Sequence, residues 1–434
     1  MTTTMTTVTT QTGWMRNRIG DGIWKNRGKV AVAGLGHSPV DRRWESGKFD
    51  TSLGAYSILA AQRAMEDAGI TVDQIDGIVS APGPLGDNWG PTRPYFASPY
   101  DSEDGITKVT AEWLARGLGM DPAKLKFASN EPPYIGLEWG YAIEAIATGK
   151  ATTLLMLYPT GNVEGRYHQQ TEARLSGPTK WPGLWGFTGG STYAYQFNEY
   201  IRRYGGSKKD VAPFVVNLRR NGLMVPWGYY TLHQPKVFTV EDYLAGRYIN
   251  EPLNLYDNDL PVNASACYVL TTAERAKDMK QTPVYIWNHA EHLATMRSSV
   301  QTLDEAEDWC AASARKTLEG AGLSITDIDI FNPYDGFTLF AHHWLEAFGW
   351  HGVNKGESLE FYKGDISVEG PHPFMSSGGN IGTGRTRTAI YTDTIEQLRG
   401  TAGKRQVSVR AETGIAGCVL PQTNGHVVFG RHQP

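Results

Sequence analysis

Two distant segments of the chain carry the same local sequence pattern. Residues 65–76 (MEDAGITVDQID) align without a gap on residues 318–329 (LEGAGLSITDID), at an offset of 253 residues. Each copy predicts a helix, over roughly 53–68 and 305–321, that a glycine ends and a short strand follows. The offset is too long for a solenoid repeat and indicates two copies of a whole domain. Chance similarity between two helix–glycine–strand units is the alternative explanation.

Length and composition are compatible with two such domains. The chain has 434 residues, of which 40% are hydrophobic and 20% charged, so it can bury a large core in two joined halves. Further pattern signals predict a helix at 135–148 that Gly149 ends. Buried strands are expected at 30–36, 75–80, 126–128, 154–158, 264–270 and 328–332.

Charge and hydropathy exclude several classes of function. A net charge of −4 gives no broad basic surface, which disfavours nucleic-acid binding. No apolar run is long enough to cross a bilayer, and the threonine-rich residues 1–12 lack the apolar centre of a signal peptide. We therefore expect a soluble, cytoplasmic protein that does not bind membranes, with a flexible N-terminal segment over 1–28.

The three cysteines give no sign of a metal site or of a disulfide framework. Cys267, Cys310 and Cys418 lie far apart in the sequence and none has CxxC spacing. This usage is typical of a reducing compartment. We expect all three to be ordinary buried thiols, and no metal in this chain.

Two glycine-rich or aromatic runs carry the clearest resemblance to a known family. Residues 332–337 read NPYDGF and residues 378–386 read GGNIGTGRT. They resemble two blocks of the thiolases, specifically the sterol-carrier or lipid-transfer branch, which read His-Asp-x-Phe and Gly-Gly-x-x-x-x-Gly-His-Pro. The resemblance extends from about residue 29 to about residue 430. It covers most of the chain.

The resemblance implies an α/β thiolase fold built of two duplicated αβαβα halves with a large loop insertion. The N-terminal half would span 29–275 and the C-terminal half 276–434. The insertion, at about 160–250, combines many glycines with large aromatic residues. In thiolases the matching insertion covers the acyl and coenzyme A tunnel, so the resemblance implies a wide apolar pocket, and burial in a dimer interface is an equally weighted alternative. The aromatic residues concerned are Trp181, Trp185, Phe187, Tyr193, Tyr195, Phe197, Tyr200, Tyr204, Trp227, Tyr229 and Tyr230.

The positions that carry thiolase catalysis have changed. The nucleophilic cysteine is expected at or beside Pro133, and proline offers neither a nucleophile nor a backbone donor. Tyr334 and Arg385 stand where the two signature histidines are expected. Cys418 falls near the position of the second active cysteine, but the glycine signature around it is missing. A covalent acyl-enzyme is therefore not expected at 133.

The tyrosine substitution matters because the two side chains differ in acid–base chemistry. Histidine exchanges protons near neutral pH, whereas an unperturbed tyrosine has a pKa near 10 and mainly donates a hydrogen bond or, when activated, acts as a stronger base. Without the surrounding motif, a buried loop aromatic with a satisfied hydroxyl would be the favoured explanation of Tyr334.

These changes together resemble the aldolases of bacterial steroid side-chain degradation. Such enzymes cleave a β-hydroxyacyl-CoA into a shorter acyl-CoA and a ketone or aldehyde, and work with a small DUF35 subunit that carries an OB-fold and a zinc ribbon. The resemblance implies a homodimer that joins two DUF35 subunits as a heterotetramer, with zinc only in the partner. Coenzyme A would enter as part of the substrate, and no cofactor would be bound covalently.

The resemblance also assigns roles to residues. Tyr334, assisted by Asp335, would transfer the proton of the β-hydroxyl, and Tyr391 is our choice for a second catalytic tyrosine, ahead of Tyr285 and Tyr256. Glycine permits close backbone approach, so the loop would present N–H groups to the enolate and coenzyme A side. The binding residues there would be Gly378, Gly379, Asn380, Gly384 and Arg385.

Three other functions remain open at this point. A non-catalytic carrier would bind acyl-CoA or lipid without turnover. A scaffold subunit would serve only to position its DUF35 partner. The weaker third alternative is a divergent acyltransferase that uses Cys418.

Overall fold

The structure is a computed structural model that describes residues 22–45, 47–81, 104–106, 108–161, 189–294 and 301–434. Its strands are β1 Val30–His37, β2 Gly77–Ser80, β3 Phe127–Ser129, β4 Thr153–Thr160, β5 Tyr248–Asn250, β6 Leu253–Asn254, β7 Ala264–Thr272, β8 Val284–Leu293, β9 Ile330–Asn332, β10 Thr413–Leu420 and β11 Thr423–Gly430. Its helices are α1 Leu53–Ala68, α2 Ala111–Gly117, α3 Ile135–Ala147, α4 Gly189–Tyr204, α5 Lys208–Gly222, α6 Tyr229–His233, α7 Val240–Leu244, α8 Ala273–Ala276, α9 Leu303–Ala321, α10 Thr338–Phe348, α11 Ser358–Phe361, α12 Gly379–Thr383 and α13 Ala389–Arg399. Within these ranges no helix is both long and apolar enough to span a bilayer.

Nine of the described strands form one mixed sheet, in the order β3-β2-β4-β7-β1-β8-β11-β10-β9. Neighbours β3, β2 and β4 run parallel, as do β9 and β10. At the centre, β1 pairs antiparallel with β7 on one side and with β8 on the other. The sheet therefore continues across the boundary expected at 275/276, and the predicted α/β class is confirmed.

The two copies of the repeat adopt the same local structure. Helix α1 ends at Gly69 with φ 70°, and α9 ends at Gly322 with φ 66°, the left-handed region in which glycine is favoured. A short 3₁₀ turn and then a parallel strand, β2 or β9, follow each glycine. The helix–glycine–strand prediction is confirmed, although both strands begin two residues later than expected.

Helices α3 and α13 lie in the core of the molecule, where Trp139 of α3 joins them. Its ring centroid lies 5.3 Å from that of Tyr391 in α13, 5.0 Å from that of Tyr268 in β7 and 5.5 Å from that of Phe429 in β11. Aromatic contacts at these distances stabilise a core beyond the area that they bury. They fix where the N-terminal ends of both helices meet the sheet, and that is where the site forms.

Residues 22–28 pack against the rest of the chain. Trp24 is 5% exposed, and its N–H donates to the carbonyl of Gly320 at 2.7 Å. The N–H of Gly28 donates to the carbonyl of Ile286 at 2.8 Å. The expectation of a flexible segment up to residue 28 is therefore wrong for these seven residues, while residues 1–21 lie outside the described part.

Several described aromatic residues of the insertion pack against the C-terminal half of the same chain, whereas Trp227 stacks on His37 of the N-terminal half. Tyr193 lies 4.6 Å from Phe337 and 4.7 Å from Phe340 between ring centroids. Tyr200 and Phe197 are fully buried. Much of the aromatic content is thus core, which neither expected explanation included. Trp181, Trp185 and Phe187 lie outside the described residues.

Helices α5 and α12 approach each other so closely that both need glycine at the contact. A Cβ atom on Gly222 would lie 2.0 Å from the carbonyl oxygen of Gly382, and one on Gly382 would lie 2.1 Å from that of Leu218. Backbone atoms of two packed helices cannot move aside without disturbing their neighbours. This contact sets the position of α12.

We expect Gly222→Ala to destabilise the protein by about 1–3 kcal/mol, because the added methyl group overpacks the contact between the two helices. The free energy of unfolding, measured in urea, checks this. Gly364→Ala is the matched control: its Cβ would meet no atom closer than 3.3 Å, so the change should stay within about 0.5 kcal/mol. Equal stability of both variants would contradict the packing argument.

Candidate active site

Tyr334 lies in the loop after β9, at the edge where the strand ends. Asn332, the last residue of β9, donates from Nδ2 to Asp393 at 3.1 Å and to Thr394 at 3.0 Å, which ties the strand end to α13. Tyr334 is 4% exposed, and a Cβ atom on Gly336 would lie 2.2 Å from its hydroxyl oxygen. Glycine at 336 therefore leaves room for the phenol to fold back over its own loop.

Asp335 is fully buried and holds the start of α12. Its Oδ1 accepts from the backbone N of Asn380 at 2.8 Å and from its Nδ2 at 3.1 Å, and its Oδ2 accepts from the N of Ile381 at 3.0 Å. Burial raises the pKa of Asp335 to about 7, against the opposing effect of these N–H donors. All three bonds go to the glycine loop, so Asp335 positions that loop.

The glycine loop does not offer free N–H groups to a ligand, which corrects the expectation made for Gly378, Gly379 and Gly384. Within the loop, Gly378 donates to Met375 O, Gly379 to Ser377 Oγ, Asn380 and Ile381 to Asp335, Gly382 to Gly378 O and Gly384 to Asn380 O. The anionic oxygen that this backbone binds is the carboxylate of Asp335. Its glycines permit close packing and tight turns instead.

The loop that follows, residues 385–388, is held from several sides. Arg385 donates its N–H to Leu260 O at 2.8 Å, and Thr386 O accepts from Thr160 Oγ1 at 3.0 Å. Thr388 Oγ1 lies 2.7 Å from Nε2 of the buried His37. These bonds hold the backbone of the loop, in which Arg387 adopts the left-handed conformation with φ 61°, an uncommon value for a residue other than glycine. A non-glycine residue persists in this region only where its surroundings over-determine it.

The sequence reasoning missed Arg387 and Tyr158. Arg387 is 6% exposed, its N–H donates to Asn380 Oδ1 at 2.8 Å, and its Nη1 donates to the hydroxyl of Tyr158 at 3.2 Å. Tyr158 is 4% exposed and lies near the end of β4. Tyr334 and Cys418 also lie close enough to interact with the charge of Arg387. The position of Tyr158 at the end of a buried strand was the one signal in the sequence.

The three tyrosines expected as a second catalytic residue occupy different places. Tyr391 is fully buried, and its hydroxyl donates to Gly425 O at 3.4 Å, which makes it a core residue beside the site. Tyr285 pairs with Gly430, whereas the site lies near Thr423 at the other end of β11, roughly 24 Å away along the strand. Tyr256 lines a cavity that reaches the glycine loop.

The thiolase nucleophile is absent from the start of α3. Tyr134 caps this helix, so Pro133 lies directly before it, where the cysteine was expected. The hydroxyl of Tyr134 lies 3.0 Å from Thr423 Oγ1. Cys418 is nearby but fully buried, and burial raises the pKa of its thiol although Arg387 opposes the shift. The thiol is therefore protonated at neutral pH and is a poor nucleophile.

A cavity of about 760 Å³ extends from the glycine loop to the surface. Asp259 and Ile381 line it beside the loop, and its cationic residues are Arg42, Arg219, Lys236 and Arg247. The guanidinium of Arg219 stacks 3.3 Å above the ring of Tyr230. Two carboxylates, Asp242 and Asp259, also line the cavity, and Lys236 lies 3.5 Å from Asp242, so the cavity wall is mixed in charge with an excess of cations.

We expect Asp335→Asn to destabilise the protein by about 1–3 kcal/mol, because the new amide group faces N–H donors that lose their acceptor. Since its folded-state pKa is raised to about 7, Asp335 favours folding below its unfolded pKa of about 3.9, and this contribution is lost as the pH rises to 7. The variant should lack that slope in urea unfolding measured from pH 4 to 8. Asp278→Asn, on the surface, is the control and should leave both stability and slope nearly unchanged. A retained slope in Asp335→Asn would contradict this account.

Comparison with known proteins agrees with this fold. A family model described as thiolase C-terminal domain-like matches residues 291–427. The chain is 27% identical over 410 residues to the 17-hydroxy-3-oxo-4-pregnene-20-carboxyl-CoA lyase of Mycobacterium tuberculosis, an alignment that covers 89% of this chain and 97% of that protein. It is 26% identical over 400 residues to an acetyl-CoA acetyltransferase of Methanothermobacter thermautotrophicus, covering 89% and 94%.

A solved structure, the Ltp2-ChsH2(DUF35) aldolase, matches with a TM-score of 0.74 at 22% identity, over 93% of this chain and 98% of that one. The overall fold of the chain is thus that of a known architecture. The chain has the thiolase fold, carries a thiolase C-terminal domain-like region in its second half, and is similar in sequence to a pregnene-carboxyl-CoA lyase.

Proposed function

We propose that this protein catalyses retro-aldol cleavage of a β-hydroxyacyl-CoA with a bulky, steroidal acyl group, and yields a shorter acyl-CoA and a ketone or aldehyde. One observation carries the proposal: a phenol and a buried cation, Tyr334 and Arg387, occupy a thiolase site that has no usable nucleophile. The relative from Mycobacterium tuberculosis, named as a lyase of a steroid carboxyl-CoA, supports the substrate class.

The reaction needs only what such a site offers. The β-hydroxyl loses its proton, the bond between Cα and Cβ breaks, and its electron pair moves onto the thioester as an enolate that is later protonated at Cα. No step requires a bond between enzyme and substrate. Tyr334 is the group for proton transfer at the β-hydroxyl, and Asp335 positions the loop beside it.

The acyltransferase alternative would need a thiolate. Its support is the similarity to a named acetyltransferase. Against it stand Pro133 at the position of the nucleophile and the protonated, buried Cys418. The carrier and scaffold alternatives differ from the aldolase in turnover alone, so a direct assay separates them.

The cationic cavity is the binding channel that we assign to coenzyme A. Its volume of about 760 Å³ is in the range of sites that enclose an extended cofactor. Arg219, Lys236 and Arg247 would supply positive charge for the phosphate groups of coenzyme A. Ile381 and Asp259 line the end of the cavity that lies beside the glycine loop. The acyl thioester would thus enter from the surface towards Tyr334.

We further propose a cytoplasmic homodimer that binds two DUF35 subunits. Strand β3 ends the sheet with no further neighbour among the described strands, and its residues are only partly covered, as in an edge that pairs with another copy. The DUF35 component named in the matching aldolase structure supports the partner. Zinc would be held by that subunit, because the three cysteines here are separately buried thiols.

The first test is turnover by the purified chain, alone and with a DUF35 subunit, on a panel of steroidal β-hydroxyacyl-CoAs. Mass spectrometry should detect a shorter acyl-CoA and a carbonyl product. Tyr334→Phe should slow cleavage by on the order of 10² to 10⁴, the usual contribution of general acid–base catalysis, while it leaves folding intact.

Tyr285→Phe is the matched control, since it removes the hydroxyl of a buried tyrosine beside Gly430, at the end of β11 away from the site. It should retain the wild-type rate. More than half the wild-type rate in Tyr334→Phe would refute the assignment. Tight binding of acyl-CoA without any product would favour the carrier or scaffold function instead.

The second test concerns the channel. Arg247→Ala should weaken the binding of coenzyme A about tenfold, the effect of losing one charge-assisted bond of about 1.5 kcal/mol, and added salt should weaken wild-type binding further. Arg275→Ala removes an exposed charge from α8, outside the channel, and should bind as the wild type does. Isothermal titration calorimetry measures both. Identical affinities would place coenzyme A elsewhere.

A further inference from the structure

Arg387 is a buried cation with no carboxylate partner among the described residues. Its Nη1 donates to the hydroxyl of Tyr158, and its Nε has no acceptor within the part of the chain that the structure describes. Two other arginines with buried side chains have carboxylate partners: Arg399 pairs with Asp67 at 2.9 Å, and Arg405 pairs with Asp393 and Glu396. A guanidinium held away from water without an anion costs free energy.

The side chains that interact electrostatically with Arg387 include Tyr158, Tyr334 and Cys418, none of which is a carboxylate. Burial raises the pKa of Tyr158 and of the Cys418 thiol, so both are neutral at physiological pH. Glu138 of α3 interacts electrostatically with Tyr158, but full burial raises its pKa well above the usual range. The described residues thus place no carboxylate in hydrogen-bond contact with Arg387, although Asp335 and Asp259 interact with the neighbouring Cys418.

Hydrogen bonds fix the backbone of Arg387 and thereby the position of its side chain. Its φ of 61° is maintained by the bond from its N–H to Asn380 Oδ1, and Asn380 is itself bonded to Asp335. Asp335 directly follows Tyr334, so one chain of hydrogen bonds links the cation to the loop of the proton-transfer tyrosine. The guanidinium is thereby held in place before any ligand binds.

We propose that Arg387 binds the enolate oxygen of the acyl-CoA thioester, and that Tyr158 positions its guanidinium for this contact. The inference rests on the proposed function for its substrate. When Cα and Cβ separate, the electron pair of that bond moves onto the thioester oxygen, while the β-hydroxyl proton passes to a base. The negative charge that forms compensates Arg387, and the enolate then takes a proton at Cα.

Acetoacetyl-CoA tests this without any cleavage, because its enolate has its own near-ultraviolet absorbance. At a pH where the free compound is mostly the keto form, wild-type protein should raise the enolate fraction on binding. Arg387→Met should reduce the enolate-to-keto ratio by on the order of 10² to 10³, as loss of an oxyanion donor does for kcat. Arg387→Lys keeps the positive charge but lacks the paired N–H donors of the guanidinium, so its enolate-to-keto ratio should lie between those of the wild type and Arg387→Met.

Two variants and a binding measurement make the result specific. Tyr158→Phe keeps the positive charge of Arg387 but removes the hydroxyl that positions its guanidinium. The enolate signal and kcat should therefore fall, while KM stays near the wild-type value. Arg220→Met removes an exposed arginine that pairs with Glu369 and should leave the signal unchanged. Calorimetry with coenzyme A should give the same affinity for Arg387→Met as for wild type, which separates lost enolate binding from lost ligand binding.

The outcomes for function and inference are distinct. No enolate enrichment by wild-type protein, or full enrichment by Arg387→Met, overturns the inference even if steroid thioesters are cleaved. Enrichment that depends on Arg387 without cleavage of any β-hydroxyacyl-CoA refutes the proposed function alone. If Arg387→Met does not fold, Arg387→Lys and Tyr158→Phe decide, and wild-type signals in both overturn the inference.

Discussion

The buried carboxylate of Asp335 joins the two loops on which the site depends. It accepts three hydrogen bonds from Asn380 and Ile381, and the same Asn380 accepts the backbone N–H of Arg387. The loop of Tyr334, the glycine loop and the loop of Arg387 are therefore one hydrogen-bonded unit. A helix start and a carboxylate satisfy each other here, so neither has to be satisfied by a ligand.

This unit can form only because the neighbouring helices come unusually close. Gly222 and Gly382 allow the backbones of α5 and α12 to pack in direct contact. This contact positions the start of α12 beside Asp335. Conformational freedom is lost at each glycine on folding, and the burial of Asp335 opposes its ionisation. Dense packing and three N–H donors offset those costs. The start of α12 and Asp335 therefore form a tightly packed, hydrogen-bonded surface beside the phenol of Tyr334.

The sequence predicted what depends on local pattern and failed where partners come from distant segments. Helix α3 and the helix–glycine–strand unit of each repeat follow from nearby residues, whereas the missing nucleophile at Pro133 was implied by the resemblance to the thiolases. The roles of the glycine loop were misassigned because its acceptor, Asp335, lies 45 residues away. Tyr158 and Arg387, 229 residues apart, meet only in the folded sheet. Nothing local to either residue indicates that contact.

The loss of the nucleophile and the presence of Arg387 are physically connected. A cation beside Cys418 lowers the pKa of a thiol, which is how a reactive thiolate would be made, yet full burial outweighs this effect and keeps the thiol protonated. With proline at 133 and a protonated Cys418, neither position of the thiolase nucleophiles supplies an anion to Arg387. Its positive charge remains available for a negative charge that exists only during reaction, which is the condition under which an interaction accelerates catalysis instead of merely strengthening binding.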